Sequence, residues 1–336
     1  MTRKREPSDQ PQLTLLAPVE ETVVTCDTSV TPSPRTLSEA LRAAPYPLSP
    51  SGPIENEHGY LSRAFIQVTL PHRKPAGPEF VRQNGHLYLS LLAPASVGLP
   101  YGSIPRLVLI YLTSQATILR SPAFAFPGSF SNFLSRIGVH TSSNSAKTAR
   151  KQIESLLSTT INILYRPDPN QRPALPTDPD TRIAAAGAGF RIASEYQLWW
   201  NSKSKEHQFV LRLSEDCYHH LTTGRTPLDT RVLNKLRWPL ALDIYAWLSY
   251  REHRDATLQH KEFVSWDTLQ AQFGSEYRST AEFARNFRAS LRRVVEHYPQ
   301  ARITPIHGGI SLHPRTNLRR FFVERPSLPL VSTILE

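Results

Sequence analysis

Apolar residues recur every three or four positions in two segments of the chain, Asn144–Asn162 and Ser279–His297. This spacing places them on one face, so both segments are predicted to form amphipathic helices. Ser279 and Glu282 have the S-x-x-E spacing of a capping box, which predicts that the second helix begins there. The two apolar faces consist of Ala149, Ile153, Leu156 and Leu157, and of Phe283, Phe287, Leu291 and Val294.

Two further predicted helices precede each amphipathic helix. The apolar segments Ile104–Leu119 and Pro239–Arg251 are long enough to be buried helices. Each has a proline near its start, and proline is tolerated in the first turn of a helix. Ser129–Ile137 and Ser265–Phe273 are predicted to be short helices, and each is followed by a glycine of the kind that ends helices.

Five segments have the β-branched, aromatic and alternating residues that are typical of strands. They are Phe65–Leu70, His86–Leu92, Gly189–Trp200, Gln208–Leu213 and Ala301–His313. The third and fourth are predicted strands joined by a polar tip, and the fifth contains the Gly-Gly turn of a hairpin.

The two halves of the chain match each other at an offset of 134 to 136 residues. The pattern A-x-x-A-R-x-x-x-x-S-L begins at Ala146 and again at Ala281. The other matched pairs are Pro105 with Pro239, Ile110 with Ile244, Tyr111 with Tyr245 and Gly138 with Gly274. Because the order is preserved across three helices, we interpret the pattern as an internal duplication.

Each repeat is predicted to contain a helix, a short helix, a turn, a longer helix and a β-hairpin. That order is typical of a winged helix-turn-helix, whose longer helix enters the major groove while the hairpin lies against the flanking backbone. The predicted fold class is therefore α+β, with two tandem winged-helix domains at residues 61–226 and 227–336. Residues 1–60 are rich in proline and are predicted to be a disordered tail, and Arg166–Asp180 is predicted to be an exposed loop.

Charge indicates what the chain binds. The 336 residues include 39 Lys and Arg against 28 Asp and Glu, a formal net charge of +11. This excess favours an anionic partner, most commonly nucleic acid, over the alternative of a basic protein without one. Residues 231–320 contain 15 Lys and Arg against 8 acidic residues, so the second domain is predicted to make the main DNA contacts.

Arginine dominates the polar face of Ser279–His297, and arginine can bond guanine bidentately or clamp phosphate. Candidate DNA contacts in the second domain are Arg278, Arg285, Arg292 and Arg293, with Arg288 at the flank, and Arg302, His307, Arg315, Arg319 and Arg320 in the hairpin. Those in the first domain are Asn144, Lys147, Thr148, Arg150 and Lys151 on the helix, and Lys203 and Lys205 at the polar tip. The alternative interpretation is a solvated arginine face on a core helix.

Arg150 is assigned differently by two patterns. The repeat pairs it with Arg285, whereas helical phase places it near the buried edge. We give the repeat more weight here, because the start of this helix is hard to place.

The sequence offers little for catalysis. It lacks the G-x-x-x-x-G-K-[ST] motif, so we expect no nucleotide hydrolysis. Tyr218 beside His219 and His220 has the composition of a DNA-nicking site, but adjacent residues of a strand point in opposite directions. We therefore expect no catalytic residues, no cofactor and no metal site, and Cys217 completes no zinc tetrad.

The number of cysteines and the length of the apolar runs predict the cellular location of the chain. Two cysteines cannot form a disulfide framework, so an intracellular location is expected. No apolar run approaches the ~20 residues that a membrane span needs, so no membrane partner is expected.

The segment Gly98–Leu107 (GLPYGSIPRL) resembles the G-x-P-Y-G-x-x-P-R-L signature of plasmid-encoded RepA replication initiator proteins. Ser129–Leu134 and Leu240–Leu248 are similar to recurring segments of the same family, and the resemblance covers about residues 60–322. It implies a cytoplasmic bacterial initiator, built from winged-helix domains, that binds repeated origin sequences (iterons) in double-stranded DNA.

The resemblance also implies partner proteins and a mechanism that does not cleave DNA. Such proteins help to melt adjacent AT-rich DNA and recruit host replication initiation and helicase-loading proteins. Related initiators repress their own promoter as homodimers, with the first domain responsible for dimerisation, and they bind DNA without nicking it. Two alternatives stay open: a winged-helix transcriptional regulator with no replication role, and an origin-nicking enzyme that uses Tyr218.

Overall fold

A computed structural model describes residues 58–127, 129–166, 186–198, 208–254, 261–274 and 276–313. The chain divides into residues 1–44 and 45–336, and every described residue lies in the second unit. The predicted tail up to residue 57 and the Pro-rich segment beyond Arg166 lie outside the described residues. The first strand begins at His58, inside the stretch predicted to be disordered.

The described residues form helices and short antiparallel strands. The helices are α1 (Arg63–Gln67), α2 (Ser103–Leu119), α3 (Phe130–Arg136), α4 (Ser143–Ser158), α5 (Glu215–Thr222), α6 (Thr230–Leu233), α7 (Pro239–Arg254), α8 (Trp266–Phe273) and α9 (Thr280–His297). The strands are β1 (His58–Ser62), β2 (Glu79–Asn84), β3 (Leu87–Leu92), β4 (Ala123–Pro127), β5 (Thr160–Tyr165), β6 (Ala186–Arg191), β7 (Ala193–Gln197), β8 (Gln208–Leu213), β9 (Arg225–Asp229), β10 (Glu262–Ser265), β11 (Ile303–Ile306) and β12 (Gly309–Leu312).

The two halves of the chain share one arrangement of elements. The second half runs α7, β10, α8, α9, β11, β12, and its strands form a sheet in the order β10–β12–β11. The first half runs α2, β4, α3, α4, β7, β8, with a sheet in the order β4–β8–β7. In both sheets the strand that precedes the two later helices therefore pairs with the last strand, so the repetition seen in the sequence extends to sheet topology.

Two of the matched pairs of residues occupy similar environments in the two halves. Tyr111 and Tyr245 are both buried at the centre of the first helix, and Ala149 and Ala284 are buried in the amphipathic helices. The short and long helices of both halves also begin with a serine whose hydroxyl accepts a backbone N–H bond, at Ser129, Ser142, Ser265 and Ser279. These common caps fix where the helices start.

An insertion distinguishes the first half from the second. Between α4 and β7 the chain forms β5 and β6, which join β2 and β3 in an antiparallel sheet of order β2–β3–β5–β6. The helix predicted to run to Asn162 therefore ends at Ser158, where Thr159 and the strand beginning at Thr160 follow. These β-branched residues favour the strand over a continued helix.

Two strand predictions are wrong. Phe65–Leu70 was expected to be a strand, but α1 covers its first half: Phe65 and Ile66 are both buried, and adjacent strand residues would point to opposite faces. Gly189–Trp200 was expected to be one strand, but it is divided between β6 and β7 in different sheets. Ile192 and Ala193 are both buried at the point where the chain passes from one sheet to the other.

A buried ion cluster joins the two halves. Nε and Nη2 of Arg106 donate to the two carboxylate oxygens of Asp243 at 2.7 and 2.8 Å, and Nε2 of His72 lies 2.8 Å from the same carboxylate. The remaining N–H groups of Arg106 donate to the carbonyls of Leu70, Pro71 and Gly102. The buried guanidinium thus has a partner for every donor, which is the condition under which such a charge is tolerated.

The charges of this cluster shift two pKa values. Burial alone would raise the pKa of the Asp243 carboxyl, but Arg106 and the His72 hydrogen bond outweigh it and hold that pKa below its usual range. Burial also lowers the pKa of His72, against the effect of the Asp243 bond. His72 is therefore neutral at pH 7, with its Nε2–H directed at the carboxylate.

Candidate nucleic-acid interface

Helix α9 begins where the capping box predicted. The Ser279 hydroxyl accepts from the backbone N–H of Glu282 at 3.2 Å. The predicted apolar face, Phe283, Phe287, Leu291 and Val294, is buried, with none of the four more than 3% exposed. Because this face packs against α7 and α8, the opposite face of α9 points to solvent.

The solvent side of α9 carries three arginines at the spacing of adjacent helical turns. Arg285 and Arg292 are exposed, and neither makes a hydrogen bond or ion pair within the described part of the chain. Arg288 lies between them at positions three and four residues away, so the three form one stripe, which we call the arginine face. Arg288 lies at the flank of this stripe, as expected, because it is half-buried and packs on a tryptophan.

Tryptophans hold two arginines of α9 in place. The guanidinium carbon of Arg288 lies 4.5 Å from the ring centroid of Trp266, and that of Arg293 lies 3.8 Å from the ring centroid of Trp238. Trp266 is buried and Trp238 is 48% exposed, so the second pair sits on the surface. Such stacking leaves the edge of a guanidinium available to an anion while limiting its rotamers. Arg278, which precedes the helix, is exposed.

The hairpin β11–β12 follows α9 and turns at His307 and Gly308. Gly308 has φ +79°, a left-handed conformation that glycine adopts without strain. Its carbonyl accepts from the backbone N–H of Trp266 at 3.0 Å, which ties the turn to the start of α8. Arg302 and His307 are exposed on this hairpin. The candidate contacts Arg315, Arg319 and Arg320 lie outside the described residues.

In the first half, four of the candidate residues on α4 are exposed: Asn144, Lys147, Thr148 and Lys151. Arg150 is half-buried, with its guanidinium carbon 5.2 Å from the ring centroid of Phe130. Arg150 therefore lies near the buried edge of α4, as helical phase indicated. The repeat, to which we gave more weight, paired it with the exposed Arg285 and is wrong about its exposure. Glu154 is also exposed on this helix. Helices α4 and α9 have the same formal net charge of +2, but the basic residues of α9 are all arginines, whereas those of α4 are mostly lysines. Lys203 and Lys205 lie outside the part of the chain that the structure describes.

Tyr218, His219 and His220 lie on helix α5, and our treatment of them as strand residues is wrong. Ser214 caps this helix by accepting from the N–H of Cys217 at 3.2 Å. His220 stacks on Phe190 with ring centroids 5.0 Å apart, and burial, followed by the neighbouring His219, lowers its pKa. Burial raises the pKa of the Cys217 thiol. Among the described residues, no group of three or more His, Cys, Asp and Glu side chains could hold a metal ion.

None of the helices that the structure describes combines the length and the apolar character that crossing a bilayer requires.

The chain matches a family model and is similar to solved structures. The family model RepA_C, described as plasmid encoded RepA protein, matches residues 99–268. The crystal structure of RctB domains 2-3 (RctB-155-483) is similar with a TM-score of 0.41 and 13% identity, over 68% of this chain and 82% of that chain. A selenomethionine derivative of domain 2 and domain 3 of RctB gives 0.45 and 12%, over 69% of this chain and 83% of that chain. No curated protein matches.

The matched residues include Arg106 and Asp243 of the buried ion cluster. Arg106 lies in the signature Gly98–Leu107 and Asp243 lies in Leu240–Leu248, so two family-like segments meet in one contact. The match ends within α8, before α9, and the arginine face is therefore an observation independent of it. Because the family model matches just over half of the chain, the chain belongs to the family of plasmid-encoded RepA proteins.

Proposed function

We propose that the chain initiates plasmid replication by binding repeated sequences (iterons) in duplex DNA at the origin. The observation that carries this proposal is the arginine face of α9, which presents Arg285 and Arg292 to solvent with the half-buried Arg288 beside them, on a helix that directly follows a short helix. A helix in that position enters the major groove in helix-turn-helix proteins. Membership of the RepA family supports a role at a replication origin.

The repeated arrangement supports two winged-helix units. Each half contains, in this order, a helix, a strand, two helices and two strands, with β5 and β6 inserted in the first half, and the first strand pairs with the last. The hairpins β7–β8 and β11–β12 are then the wings, which contact the DNA backbone beside the groove. The second half makes the main base contacts because its long helix carries four arginines, the residue type that bonds base edges bidentately, and α4 contributes backbone contacts.

The proposed chemistry is binding rather than bond cleavage. Lysines and arginines release counterions from phosphates, which supplies affinity, while an arginine on a base edge supplies specificity. The role requires no cofactor, metal or catalytic residue. On this proposal the chain acts in the bacterial cytoplasm on its plasmid, promotes melting near the repeats, recruits host helicase-loading proteins and represses its own promoter as a dimer.

Plasmid maintenance tests this proposal. A plasmid whose only replication functions are this gene and its flanking DNA is expected to be maintained. Arg285→Ala or Arg292→Ala is expected to abolish or strongly reduce maintenance, since loss of a base contact costs about 1–3 kcal/mol. Arg191→Ala, which removes an exposed arginine from β6, is the matched control and should replicate normally.

Two outcomes would contradict the proposal. Repression of the gene's promoter without plasmid maintenance would identify a transcriptional regulator. Covalent attachment of the chain to DNA that disappears in Tyr218→Phe would identify a nicking enzyme. We expect Tyr218→Phe to support replication.

A further inference from the structure

Two exposed apolar side chains flank the turn of the hairpin β11–β12. Phe263 on β10 is 56% exposed and Ile306 on β11 is 37% exposed, although both belong to a three-stranded sheet. The inner face of that sheet is buried through Ile310 and Leu312, so Phe263 and Ile306 are not needed by the core.

Glycines bring these two side chains together. Ile306 is paired with Gly309, and a Cβ at Gly309 would lie 2.9 Å from Cε2 of Phe263. A Cβ at Gly308 would lie 3.9 Å from Cζ of the same ring. The ring therefore lies along the Gly308–Gly309 turn, and Phe263 and Ile306 form one apolar edge, which we call the apolar edge of the hairpin.

The apolar edge is connected to the arginine face through one tryptophan. The backbone N–H of Trp266 donates to the Gly308 carbonyl at 3.0 Å, and its ring carries the guanidinium of Arg288. A molecule bound to the arginine face is therefore next to the hairpin turn.

The charges around the apolar edge fit a polyanion. Lys261 directly before β10, Arg302 directly before β11 and His307 in the turn are exposed. Glu262, the acidic residue of β10, is bonded to Arg251. These basic groups favour a polyanion such as DNA over an apolar partner protein.

We propose that Phe263 and Ile306 form a wedge that enters the minor groove beside the site bound by α9 and unstacks a base step. Apolar side chains inserted in this way kink duplex DNA by about 20–90°. Unstacking costs the least free energy at pyrimidine–purine steps such as TA, because these steps are flexible. The inference rests on the proposed function, and it assigns the first distortion of the origin to this chain itself.

The experiment measures DNA distortion at saturating protein. A duplex carrying the direct repeats that flank the gene is probed by permanganate oxidation of unstacked thymines and by energy transfer between its ends. The double variant Phe263→Ser with Ile306→Thr is expected to remain folded, because both side chains are exposed. It should bind the repeats while losing the permanganate signal and at least about 20° of bend.

Two further variants separate a wedge from a general surface effect. Phe263→Leu keeps an apolar wedge and is expected to retain the distortion. Val81→Ser removes another exposed side chain (50% exposed) from the sheet of the first half and should change nothing.

The proposal is overturned if the wild-type chain binds the repeats without distorting them, or if the double variant distorts them as the wild type does. Unchanged distortion with altered sedimentation would assign the apolar edge to contact with a second copy instead. Failure of the wild-type chain to bind the repeats at all would overturn the proposed function, which is a different result.

Discussion

His72 makes the contact between the two halves of the chain sensitive to acid. Its ring is buried beside Asp243 and Arg106, with the Arg82 guanidinium also close enough to lower its pKa. Because the folded chain lowers this pKa below its ordinary value of 6.5, the unfolded chain binds a proton in a pH range where the folded chain does not. Stability therefore falls as pH falls below about 6.5, by up to about 1.4 kcal/mol per pH unit for this one group.

The substitution His72→Gln tests this linkage. The Nε2 of glutamine can still donate to Asp243, but it does not titrate. We expect the unfolding free energy of the variant, measured in urea from pH 7.5 to 5, to fall less steeply with decreasing pH than that of the wild type. The difference between the two slopes should correspond to the uptake of about one proton on unfolding. His220, whose pKa is also lowered, remains in both chains and gives a residual slope. Parallel slopes for the two chains would show that His72 is not the titrating group.

Among the elements, α9 is the one whose sequence specifies it most completely. A capping box, an apolar stripe and an arginine stripe agree, and the structure follows all three. The hairpin was equally predictable because its Gly-Gly turn is a local signal. By contrast, α1 and the division between β6 and β7 could not be predicted from the local sequence. In both places two adjacent apolar residues are buried, and distant parts of the chain provide the surfaces that bury them.

The cap of α9 gives a prediction at this scale. Ser279→Ala removes the acceptor for the Glu282 N–H and is expected to cost about 1 kcal/mol of stability. It should also weaken DNA binding, because the first turn of the helix frays beside Arg285. Thermal unfolding and DNA titration measure the two effects.

Matched variants accompany this test. Ser279→Asp keeps a capping oxygen and should restore stability. Ser142→Ala removes the equivalent cap from α4 and should lower stability with a smaller effect on DNA binding. Equal losses of DNA affinity in Ser279→Ala and Ser142→Ala would argue against the second half as the main contact.

In the molecule as a whole, residues far apart in the sequence join the repeats. β1 pairs with β9, Arg82 binds Glu276 at 2.8 Å, and Arg106 binds Asp243. The sequence marked Arg106 and Asp243 as parts of family-like segments, but no local pattern indicates that they touch across 137 positions. These contacts join the two halves, as the proposed binding of both long helices to one duplex requires.

Equilibrium binding to the direct repeats that flank the gene tests the central proposal most directly. The full chain is titrated into the repeat duplex and into a scrambled duplex of equal length and composition, at several salt concentrations. The account predicts at least about a thousandfold preference for the repeats, with a log affinity that falls linearly with log salt concentration. Equal affinity for the repeat and scrambled duplexes would contradict it.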